Sequence, residues 1–148
     1  MPTWLQIVLG VSAPAIACFG AYISFKQWQL GQYKLKHDLF EKRWLIYASA
    51  HDAIALFLNG TEEEKLKQFK NLKVKIVGAK FLFPPDICAY LNEIADRMYD
   101  LKVMEHKIHT GVESRDDVIQ SYKKEYQWLE DQPKVLAEKL KLYLDLTI

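Results

Sequence analysis

The amino-acid sequence predicts an all-α protein: an N-terminal transmembrane helix followed by a small antiparallel helical bundle. Three observations lead there. Residues 4–25 carry no charged side chain. The remainder shows apolar residues at steps of three and four, the period of a helix face. Turn residues interrupt that period at short intervals.

The chain has 148 residues, half of them hydrophobic and 13% aromatic, which suits one folded domain rather than a disordered chain. Twenty basic and 19 acidic residues leave a formal net charge of +1. That balance argues against nucleic acid as a partner, since such binders are usually strongly basic. Cys18 and Cys88 stand far apart and outside any C-x-x-C pair, so no zinc or redox motif is built from them.

A helix over residues 4–25 would be roughly 33 Å long at ~1.5 Å per residue, close to the ~30 Å apolar core of a bilayer. Trp4 on one flank and Tyr22, Phe25 and Trp28 on the other suit the two interfaces. Ala13-Pro14-Ala15 and Ala15-Ile16-Ala17 resemble signal-peptide cleavage sites, but no Lys or Arg precedes them and apolar sequence continues past Cys18. The reading is therefore an uncleaved anchor over 4–25 with a cytoplasmic domain over 26–148. Lys26, Lys34, Lys36, Lys42 and Arg43 all follow the anchor, which places the N-terminus outside and these cations at the inner surface of a bacterial cytoplasmic membrane. Gly10, Ala13, Ala17, Gly20 and Ser24 recur at steps of three or four and form a small-residue face suited to helix association.

A long helix is expected from near residue 26 to 58. Leu30, Tyr33, His37, Phe40, Trp44, Tyr47, His51, Ile54 and Leu58 make a heptad-like seam, and Leu39, Ile46, Ala53 and Phe57 a second stripe. One stripe meets the domain and the other a partner chain, or the helix is buried broadly in its own domain. Gly31 reads as a hinge or merely as a weak point in the helix. Asn59-Gly60 ends the helix, and Thr61 with Glu64 forms a capping-box pattern for the next, which extends to about residue 80. Pro84-Pro85 opens a third helix ending near Gly111. Ser114 opens the last, which Pro133 is expected to kink or split.

No catalytic motif is present: the chain lacks G-x-S-x-G, a P-loop, G-x-G-x-x-G and H-E-x-x-H, and no cofactor or metal is expected. His106 and His109 share a helix face beside Glu105 but lack further ligands in sequence, so solvated side chains at a helix end are the simpler reading. Lys65, Lys67, Lys70, Lys73, Lys75 and Lys80 crowd one helix, as either an ordinary solvated face or one that leans on anionic lipid.

Phe40-Glu41-Lys42-Arg43-Trp44-Leu45-Ile46-Tyr47, then Ala79-Lys80-Phe81-Leu82-Phe83-Pro84, then Ile87 to Leu91, resemble a set of small, uncharacterised bacterial single-pass membrane proteins. These share an uncharged first helix, an F-x-K-R-x-x-x-Y stretch and an F-L-F block, and some occur in mobile elements or beside phage-defence genes. The resemblance implies no catalytic residues. In the motif, Phe40, Trp44 and Tyr47 read as core, with Lys42 and Arg43 on the other side. The functional expectation is a non-enzymatic anchored protein that acts through self-association or protein contacts, in the form of a defence or exclusion effector at the membrane. The alternative is a tether that recruits a cytoplasmic protein, and a membrane-localised enzyme is the least favoured reading.

Overall fold

The structure, a computed structural model, describes the backbone of residues 3–110 and 115–145 and the side chains of 16–110 and 116–145. Four α-helices and a closing 3-10 turn follow one another: α1 (Thr3–Asn59), α2 (Glu62–Ala79), α3 (Pro85–Thr110), α4 (Arg115–Leu140) and η1 (Lys141–Tyr143). No strand occurs among the described residues. The chain divides into two compact units, Met1–Asp38 and Leu39–Ile148. That division lies further along α1 than the membrane boundary expected at residue 25. Among the described residues, no helix is long and apolar enough to cross a membrane. The side chains of residues 4–15, over half of the predicted span, lie outside the described set.

The second unit is a helical bundle with one core. From α1 it takes Ile46, Ala50, Ala53, Ile54 and Phe57; Leu72 and Ile76 come from α2, Leu91, Ile94, Met98 and Leu101 from α3, and Leu129, Leu136 and Leu140 from α4. The two stripes read along α1 thus take unequal parts. Ile46, Ala53 and Phe57 of the second stripe are buried, whereas Trp44 and His51 of the first stay exposed and only its later members Tyr47, Ile54 and Leu58 meet the core. A straight α-helix drifts ~20° per heptad against a 3.5-residue repeat, so a seam counted over four heptads winds around the helix instead of staying on one side.

The turns follow their local chemistry. Thr61 caps α2: its side-chain oxygen accepts from the Glu64 amide while the Glu64 carboxylate accepts from the Thr61 amide at 2.9 Å. Gly60 is required by close approach, because its amide donates to the Leu56 carbonyl at 2.7 Å and a Cβ there would overlap that oxygen. Gly31 is not a break, since α1 runs through it. Pro133 likewise lies inside a continuous α4 rather than splitting it. Proline removes one amide and crowds one carbonyl a turn earlier, a cost that tertiary burial of Leu129, Gln132 and Leu136 on either side offsets. The expected cap at Ser114 lies outside the described residues.

Candidate functional site

Within the N-terminal unit, the described side chains are almost all exposed. Ile16, Phe19, Tyr22, Ile23, Phe25, Trp28, Leu30, Tyr33 and Leu35 are each at least half exposed, with Phe19 at 72% and Trp28 at 61%. Local contacts are those a single helix makes with itself: Phe25 and Trp28 lie 6.0 Å apart between ring centroids, and Ser24 Oγ donates to the Gly20 carbonyl at 2.9 Å. Of the small-residue face, Ala17, Gly20 and Ser24 are exposed on α1, and nothing approaches the position of a Gly20 Cβ. The side chains of Gly10 and Ala13 lie outside the described residues. Lys26, Lys34, Lys36 and His37 are exposed as well.

Two features mark α1 where it belongs to the second unit. The first is a file of rings. Phe40 stacks on Trp44 at 6.3 Å, Tyr47 lies tilted against Trp44 at 5.2 Å, and Tyr47 meets His51 at 6.1 Å. Sequence reasoning assigned Trp44 to the core, yet it is 47% exposed; Tyr47 alone of the three motif aromatics packs against the core cluster. The second is Arg43, expected at a membrane surface beside Lys42. Lys42 is exposed, but the Arg43 guanidinium is drawn inward. Its Nε donates to the Leu82 carbonyl at 3.1 Å and its Nη1 to the Tyr143 carbonyl at 3.3 Å, while the cation lies 5.9 Å from both the Phe83 and Tyr143 rings. Arginine suits this place because a planar fork can serve two carbonyls and two ring faces together. The F-L-F block is likewise divided: Phe83 is buried and Leu82 packs on the core, but Phe81 is 87% exposed.

The lysines of α2 do not form one basic face. Lys67, Lys70 and Lys80 are solvated. Lys73 pairs with Asp96 at 2.7 Å. Lys65 is turned inward over the Phe57 ring, 3.0 Å from Glu62 and 3.7 Å from Glu105. Burial works against its charge, and the Glu62 hydrogen bond and the Glu105 carboxylate outweigh that, so its pKa is raised. Glu62 also accepts from Lys102 at 2.9 Å, and the bonds from Lys102 and Lys65 hold its carboxyl below the ordinary 4.5.

This charged network rims a groove between the first half of α2 and the second half of α3, with a volume of about 720 Å³. Phe57 and Met98 belong to its floor, and Leu66, Phe69, Tyr99 and Val103 to its apolar walls. Phe69 and Tyr99 stack at 6.4 Å. His106 and His109 are exposed at the other end, beside Lys102 and Lys107. Size, an apolar lining and a few polar groups at one end are the usual properties of a small-molecule site. No spacing rule in the sequence would have found it, because its residues come from three helices and the cue is only the wall residues Leu66, Tyr99 and Val103 that the core leaves uncovered.

The α3–α4 contact is held by ion pairs, a cation over a ring and a buried hydrogen-bond chain. Arg97 lies 4.1 Å above the Trp128 ring and donates to Glu93 at 2.8 Å and Glu125 at 2.9 Å. Tyr90 donates from Oη to Gln132 Oε1 at 2.7 Å, and Gln132 Nε2 donates to the Trp128 carbonyl at 2.8 Å. Burial, with a smaller contribution from Glu93, pushes the Tyr90 phenol up to about 12. Compared with known proteins, the chain matches no family model, no curated protein and no solved structure.

Proposed function

We propose that this chain is a membrane-anchored helical protein, held by its N-terminal helix and acting through protein contacts rather than catalysis. The observation that carries the reading is the N-terminal unit itself. Residues 4–25 have no charge, and the large apolar side chains described from Ile16 to Leu35 are exposed. An apolar helix of this kind requires a covering phase, and lipid supplies one without any specific partner. The cations that follow, Lys26, Lys34, Lys36 and Lys42, suit the inner surface of the membrane, with the second unit on the cytoplasmic side. The resemblance to small bacterial single-pass proteins belongs to the same reading, as does assembly through Ala17, Gly20 and Ser24 together with Gly10 and Ala13.

Membrane fractionation tests it. Full-length protein is expected to sediment with membranes and to stay there through an alkaline carbonate wash; release into the supernatant would sink the anchor. Light scattering in mild detergent tests assembly: a defined oligomer is expected, and a variant with leucine at Gly10, Ala13, Ala17 and Gly20 is expected to lose it.

A second reading rests on the ring file. Trp44, half-exposed between Phe40 and Tyr47, is a large aromatic on a rigid element, the residue type that anchors protein interfaces. In this form the protein is a tether for a cytoplasmic partner. A stoichiometric partner recovered with the wild type and lost with Trp44→Ala would favour it.

A further inference from the structure

The outer face of α2 begins with Lys67 and Lys70, and Val74 and Val77 follow at steps of four and three. Phe81 stands a turn beyond, in the corner that leads to α3. Val74, Val77 and Phe81 are 71%, 66% and 87% exposed. Single exposed apolar residues are ordinary, but these three share one face, and the exposed Leu45 of α1 stands beside Val74. A notch of about 200 Å³ opens there between α1 and α2, lined by Leu45 and Ile46 from one helix, Val74 and Gly78 from the other, and Lys42 and Lys75. Nothing stands within 4 Å of where a Gly78 Cβ would lie, so another backbone can come close. Lys42, Lys67, Lys70, Lys75 and Lys80 surround the face and make no ion pair among the described residues, while Lys65 and Lys73 lean to acids of α3. Residues 65–85 contain no acidic side chain.

Three occupants compete for such a face. A two-fold contact with a second copy sets the lysines against themselves, which repels. A lipid surface is flat and leaves the notch unfilled. A helix with acidic flanks meets both requirements, because one apolar side chain enters the notch while its carboxylates meet the lysines. We propose that the α1–α2 face binds an acidic amphipathic helix of a partner protein. The apolar side of that helix lies on Val74, Val77, Phe81 and Leu45, and its Asp and Glu side chains face Lys42, Lys67, Lys70 and Lys75. From Lys67 to Val77 the face is roughly 15 Å of helix axis with Phe81 a turn further, so about four turns of partner helix cover it. This names the partner chemistry of the protein-contact reading above and rests on it, but not on the anchor, since every residue concerned belongs to the second unit.

The test is fluorescence anisotropy of synthetic peptides with the full-length chain in nanodiscs of neutral phosphatidylcholine. The probe is a helix of about fourteen residues, with leucine at steps of three and four and glutamate elsewhere. It is expected to bind at least tenfold more tightly than a peptide of the same composition with its leucines scattered, and than one with lysine for glutamate. Val77→Glu with Phe81→Glu should weaken binding at least tenfold at an unchanged thermal midpoint. Lys67→Glu, Lys70→Glu and Lys75→Glu together should turn the preference to the lysine peptide, which loss of folding does not do. A photoreactive leucine in the probe should label the peptides holding Val74 and Phe81. No binding at millimolar probe, equal binding of the scattered peptide, binding indifferent to both sets of variants, or label confined to residues 16–35 would each overturn the proposal. Loss of binding with Trp44→Ala but with neither set overturns it in favour of the ring file. Acetylation of Lys67 and Lys70 separates the other occupants. Protection that follows phosphatidylglycerol in the nanodisc without probe overturns the proposal in favour of a lipid surface, and protection that follows chain concentration without probe overturns it in favour of a second copy. The carbonate wash, light scattering and partner recovery described above report on the broader reading at other residues, so its failure is read apart from failure here.

Discussion

Arg43 reaches two carbonyls that lie 39 and 100 residues away in sequence, so one side chain ties α1 to the α2–α3 corner and to the C-terminal turn. Its removal leaves both carbonyls short of a donor and both rings without a cation. Arg43→Ala is expected to cost about 2–3 kcal/mol of stability in denaturant unfolding. Arg43→Lys is expected to recover less than half of this, because an ammonium on a flexible stem cannot serve both carbonyls in one geometry. Tyr90→Phe has a different logic. It leaves Gln132 Oε1 buried without its donor, at a cost of about 1–3 kcal/mol. Gln132 itself is the one buried polar side chain among the described residues, and both its polar ends are satisfied.

At the level of elements, the α1–α2 connection depends on two adjacent residues with separate roles. Gly60→Ala places a methyl against the Leu56 carbonyl and is expected to be more damaging than Thr61→Ala. The latter loses only the cap, at about 1 kcal/mol. Thermal midpoints of the two variants, measured side by side, check this order. The capping box, the Asn59-Gly60 stop and the Pro84-Pro85 start were all legible in sequence, because each rests on contacts within four residues. The path of the aromatic seam around α1 was not. A heptad count assigns Phe40, Trp44, Tyr47 and His51 to one line, but the straight helix turns that line out of the core, and only the packing of Ala50 and Ala53 against the other helices identifies the buried side. Pro133 has a similar logic: a local rule expects a kink or a split, and burial on both sides of the proline keeps α4 continuous, so the split does not occur.

For the whole molecule, stability against pH follows from the signs of the shifts. The Glu62 and Glu64 carboxyls lie below their ordinary 4.5, so the stability they contribute is present above that value and is lost as pH falls through their folded-state range. The Tyr90 and Tyr122 phenols lie above their ordinary 10, chiefly through burial. Their contribution is present below 10 and is lost as pH rises beyond it, for Tyr90 over the range up to about 12. The thermal midpoint is therefore expected to stay level between about pH 5 and 10 and to fall on both sides, with Tyr90→Phe removing part of the alkaline decline. A decline already under way at pH 7 would contradict this assignment.

The amino-acid sequence by itself determined the helical class, the α1 stop at Asn59-Gly60, the α2 cap at Thr61, the α3 start at Pro84-Pro85 and the uncharged N-terminal stretch, because these depend on composition, periodicity and neighbours within a turn. It also carried the candidate small-residue face, where spacing alone puts Ala17, Gly20 and Ser24 in line. Tertiary structure decided what each charged or aromatic side chain does once helices meet. Lys42 and Arg43 are adjacent and alike in charge, yet one is solvated and the other serves the Leu82 and Tyr143 carbonyls. Lys65 and Lys67 stand two apart, yet one lies over Phe57 among carboxylates and the other faces water. The groove between α2 and α3 exists only through that meeting of helices. Its walls come from residues some 40 positions apart, and burial, charge compensation and the shape of an uncovered space are properties of neighbours that the linear order does not contain.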